Sequence, residues 1–144
     1  MANNRKPRKP YRPMAAFLKA HEARKKAKPL LPDQVSDVLI ATHIGMARIA
    51  KGEATEIDYW TIRSTLEIAH RLAKTGYGMD FGQDITNAID ALENAAKRPK
   101  LGFSGDELQS VNLALEIYDQ QIALASCGDL ITALNYVREM RIAA

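Results

Sequence analysis

From Met14 onward, apolar residues return every three or four positions, and glycine or proline interrupts them at about one helix length. The breaks fall at Pro29, Pro32, Gly52, Gly76, Pro99 and Gly128. A period near 3.6 puts such residues on one face of an α-helix, whereas a half-buried strand needs strict alternation. No segment alternates convincingly and no internal repeat is found. Nine aromatic residues in 144 are also few for a β-sandwich. The pattern predicts an all-α fold, an irregular bundle of five or six helices joined by short turns.

The first helix after the prolines is expected over 33–51, with Val35, Val38, Leu39, Thr42, Met46 and Ile49 on one stripe, and Gly52 stops it. Thr55 can cap a helix over 56–75 that turns Tyr59, Ile62, Leu66, Ala69, Leu72 and Ala73 inward. After the Gly76–Gly82 loop, a helix over 82–97 carries Ile85, Ala88, Ile89, Leu92 and Ala96. Ser104 and Glu107 have the spacing of a capping box. The helix behind them, 105–125, would bury Leu108, Val111, Leu115, Tyr118 and Ile122. Asp129 can cap a last helix to Ile142, with Leu130, Leu134, Val137 and Met140 as its inner set. Asp58, Glu116 and Asp119 are expected on solvated faces.

Charge divides the chain differently. Residues 1–28 hold ten Lys/Arg against one acid, Glu22, for a net charge of +9. Residues 29–144 hold ten basic and sixteen acidic side chains, for −6. The overall +3 therefore hides a cationic segment joined to an anionic body, a distribution suited to finding polyanions or an acidic protein surface.

Residues 1–13 read as an extended basic arm and 14–144 as one helical domain, opening with an Ala- and Lys-rich helix over 14–28. Pro7, Pro10 and Pro13 recur every third residue, the period of a polyproline II helix. Lys6, Lys9 and Arg12 would form a second ridge, and Arg5, Arg8 and Tyr11 a third. A solubilising tail and a Pro-x-x-Pro ligand for a protein domain are competing readings of the same residues. Lys19, Arg24, Lys25, Lys26 and Lys28 extend the positive charge into the following helix. Such a surface contacts phosphates without reading sequence.

The remaining motifs are incomplete. Glu67-Ile-Ala-His70 is a single Glu-x-x-His where helical di-iron sites need two, so Glu67 is expected to pair with Arg71 and His70 to sit at a boundary. His21-Glu22 starts a zincin pattern, but Lys25 occupies the second histidine position. Gly76, Gly78 and Gly82 lack the spacing and preceding strand of a dinucleotide loop. Cys127 is the single cysteine and cannot form an internal disulfide, which with the absence of a secretory signal suggests a reducing cytoplasm. No apolar run approaches a bilayer span, and no membrane partner is expected. No cofactor motif or catalytic set is found. Tyr59 and Trp60 are adjacent, so only one can face the core fully, and an exposed Trp60 is a candidate protein interface.

The Arg-Lys-Pro-Arg-Lys-Pro-Tyr-Arg-Pro opening at residues 5–13, ahead of a small helical body ending in two amphipathic helices, resembles uncharacterised proteins of proteobacterial prophages and plasmids. The resemblance implies a mobile-element accessory protein in a bacterial cytoplasm. Two functions are then expected. In the first, a non-enzymatic regulatory protein contacts DNA or RNA through residues 5–28, with the helical body as scaffold or homodimerisation unit. In the second, a protein-binding inhibitor or adaptor uses its acidic body as the working surface.

Overall fold

The computed structural model describes residues 32–143 and the side chains of residues 39–142. The arm expected at 1–13 and the helix expected over 14–28 lie outside the described residues. Five α-helices follow in order: α1 Pro32–Lys51, α2 Glu56–Lys74, α3 Gly82–Ala96, α4 Gly105–Leu124 and α5 Cys127–Ala143. A single 3₁₀ turn, Met79–Phe81, precedes α3. No β-strand occurs among the described residues.

Local chemistry sets the ends. Thr55 and Ser104 each close a reciprocal capping box, with Asp58 at the third position of α2 and Glu107 at that of α4. Gly52 ends α1 at φ 73°, and Gly76 follows α2 at φ 115°, both left-handed conformations that glycine adopts without a Cβ clash. At α5 the cap is Ser126, whose Oγ accepts the Asp129 N–H at 3.1 Å. Asp129, expected to be the cap, instead accepts a hydrogen bond from the Tyr77 hydroxyl.

Helix α2 is the hub and packs against all four other helices. Polar contacts give its neighbours' directions. Thr42 meets Thr65 and Arg48 meets Asp58, so α1 runs antiparallel to α2. Arg63 reaches Glu93 near the end of α3, whose start follows α2 after a short connection, and Tyr136 meets Arg71 while Arg141 meets Trp60, so α3 and α5 are antiparallel to α2 as well. Helix α4 pairs with α3, and the Gln121 amide donates to the carbonyls of Ala69 and Tyr77, tying α4 to the end of α2.

The core forms one cluster around Ile62, Leu66, Leu72, Ile85, Leu92, Val111 and Ile122, all fully buried. Each such side chain contributes roughly 1.5–3 kcal/mol by leaving water. The inner sets expected for α2 and for most of α3 and α4 are in place. Four residues expected inward are exposed: Ala96, Leu108, Leu134 and Met140. Ala95 takes the inner position of the last α3 turn, one residue of rotation away. Leu108 sits in the first turn of α4. On α5 the small Ala133 faces α2 and Leu134 turns to the flank. Among the described helices it has substantial contact with α2 alone, and its buried stripe is correspondingly narrow.

Asp58 also departs from expectation. It is 4% exposed because it serves two partners, the Thr55 N–H at 2.9 Å and the Arg48 guanidinium at 3.2 Å. The backbone hydrogen bond is the main cause of its lowered pKa, with burial opposing it.

Candidate functional site

The capping box at Thr55 starts α2 so that Tyr59 lies half-buried and Trp60 points out, 46% exposed. The two rings meet edge to face with centroids 5.1 Å apart. Tyr59 thus fixes one side of the indole, and Arg141 of α5 lies over the ring with its Cζ 5.1 Å from the centroid. Trp60 therefore holds the partly exposed place expected of an interface candidate.

Behind it runs a chain of charges along the α2–α5 seam. Arg63 donates from Nε to Glu67 at 2.7 Å, and its Nη1 reaches both Glu93 of α3 and the Tyr59 hydroxyl. Burial disfavours the Arg63 charge, but the hydrogen bonds it donates to Glu67 and Glu93 outweigh that and push its pKa further up. The second oxygen of Glu67 accepts from Arg141 at 3.4 Å. The expected Glu67–Arg71 pair does not form. Arg71 instead stacks on the Tyr136 ring at 4.0 Å.

These contacts decide the Glu-x-x-His motif. Glu67 is engaged by two arginines, and His70 sits at a boundary where burial, then Lys74, lowers its pKa. Among the described residues no three His, Cys, Asp or Glu side chains come together as metal ligands. His43 faces Asp119 of α4 at 3.8 Å.

Two depressions flank Arg141. One, of about 480 Å³, lies between Trp60, Arg63, Glu67 and Met140. The other, of about 430 Å³, runs along α5 from Ile131 to Ile142 over Ser64 and Ile68 of α2. Sequence reasoning found Trp60 but missed this second groove. Its signal was available, because Ile131, Leu134, Arg138 and Ile142 recur at helical spacing beside the inner stripe Leu130, Ala133 and Val137. A helix with two apolar stripes is covered on one and open on the other.

The cationic candidates from Arg5 to Lys28 lie outside the described residues. No described helix is long and apolar enough to cross a membrane. Comparisons with protein-family models, with curated proteins and with solved structures find no match for this chain.

Proposed function

We propose that this is a non-enzymatic accessory protein that contacts nucleic acid through its basic N-terminal segment, in the manner of a mobile-element regulator. The observation that carries this reading is the division of charge, +9 over residues 1–28 against −6 over the rest. Ten cations in 28 residues, several alternating with proline, match the linear charge of a phosphate backbone. An anionic body would be repelled by the same polymer, which confines contact to the segment.

Fluorescence anisotropy with labelled duplex DNA and RNA, across a salt series, tests it with full-length protein and with residues 14–144. Log affinity should fall with log salt at up to about −0.9 per phosphate neutralised. Deleting residues 1–13 removes five of the ten cations and should flatten that slope by up to about half. No binding at low salt overturns the reading.

A second reading, a protein-binding adaptor, is favoured by one feature: the open apolar stripe of α5 beside Trp60.

A further inference from the structure

We infer that the groove along α5 receives an acidic amphipathic helix of a partner protein, a conclusion that rests on the adaptor reading. Its floor is apolar, with Ile68 of α2 at the base and Ile131, Leu134 and Ile142 along the bank, 51%, 43% and 79% exposed. Three aliphatic side chains on one side of one helix, next to a seam between two helices, form the ridge-and-groove relief that another helix fills. From Ile131 to Ile142 the bank is about 17 Å long at 1.5 Å per residue, enough for a partner helix of three turns.

Charge selects among occupants. The charged groups lining the groove are Arg138 and Arg141, on a body that is otherwise acidic. Arg138 makes no ion pair among the described residues. A second copy of this face offers Arg138 and Arg141 no carboxylate, because the same lining holds no acid, and a parallel pairing would set like charges against each other. The chain's own segment 1–28 carries ten cations and a single acid, Glu22, so charge does not favour it as the occupant. A helix with aliphatic residues at i, i+3 or i+4, and i+7 and carboxylates beside them satisfies both the apolar floor and the Arg138 guanidinium, while Arg141, already paired with Glu67, adds to the positive field.

The test is a display library of random 16-residue peptides selected against the full-length, nuclease-treated protein. The enriched sequences are synthesised and titrated against wild type, Leu134→Asp and Arg138→Glu. Both positions are exposed, and far-ultraviolet circular dichroism checks that the variants remain helical. Enriched peptides should be net acidic and amphipathic. Each variant should weaken binding about tenfold or more, and exchanging the peptide's Glu for Lys should restore affinity for Arg138→Glu. Neutral or basic peptides that still depend on Leu134 would keep the adaptor reading and overturn the acidic occupant. Peptides indifferent to both variants, or none, would overturn both. Self-association lost in Leu134→Asp would name a second copy and likewise overturn the proposal.

Discussion

The Thr42 and Thr65 hydroxyls meet at 2.8 Å inside the α1–α2 contact, both buried, and Thr65 also donates to the Thr61 carbonyl at 2.9 Å. The pair is asymmetric. Thr42→Val leaves Thr65 its carbonyl, whereas Thr65→Val takes from Thr42 the one hydroxyl partner it has among the described residues. A buried polar group left without a partner costs about 1–3 kcal/mol. Thr65→Val should therefore lower the urea midpoint clearly more than Thr42→Val, and equal losses would refute the asymmetry. Arg141→Ala is expected to behave differently. It removes an exposed ion pair with Glu67 worth roughly 0.2–1 kcal/mol, together with the contact to Trp60. Stability should barely move, while emission of the chain's single tryptophan shifts, because the group over its ring has gone. Sequence spacing offers Glu67 two arginine partners on its own helix, Arg63 and Arg71, at equal distance. The choice of Arg63 was not legible there, because Glu93 and Tyr136, on α3 and α5, hold the two arginines in place.

At the scale of elements, helix ends and inner stripes were legible, because caps and periodicity are local. The Ser104–Glu107 box illustrates what that locality is worth. Ser104 accepts the Glu107 N–H, Glu107 accepts the Ser104 N–H at 2.7 Å, and Arg98 grips the same carboxylate with two nitrogens. Ser104→Ala should cost about 1 kcal/mol. Hydrogen bonds from Arg98, then from the Ser104 backbone, depress the Glu107 pKa to about 2 from an ordinary 4.5. A carboxyl lowered on folding contributes stability that is fully present above about pH 4.5 and is lost as pH falls toward 2. The stability gap between wild type and Glu107→Gln should thus be widest at neutral pH and close by pH 2, read from denaturant midpoints along a pH series. The outward turn of Leu134 was not legible, since it depends on α5 having one close neighbour among the described helices. That single neighbour also predicts dynamics. Amides of α5 should exchange with deuterium well before those of α2, which packs against four helices, and equal protection would contradict this.

For the whole molecule, the division of charge makes the body an opponent of the ligand proposed for the N-terminal segment. Sixteen of the seventeen acids lie beyond residue 28, and several on α3 and α4, including Asp90 and Glu116, are exposed and outside any ion pair among the described residues. Their field reaches a phosphate backbone only while it is unscreened. The Debye length is about 30 Å at 0.01 M salt and about 8 Å at 0.15 M. Neutralising Asp90 and Glu116 together, as Asp90→Asn and Glu116→Gln, should therefore strengthen binding to duplex DNA at 0.01 M salt and have little effect at 0.15 M. These changes leave the core untouched, so thermal melting should be nearly unchanged. Removal of residues 1–28 should reverse the sign of the net charge, from +3 to −6, and move the protein from a cation to an anion exchanger at pH 7. If the double substitution strengthens binding equally at both salt concentrations, the body touches the nucleic acid directly. Contact would then no longer be confined to the basic segment.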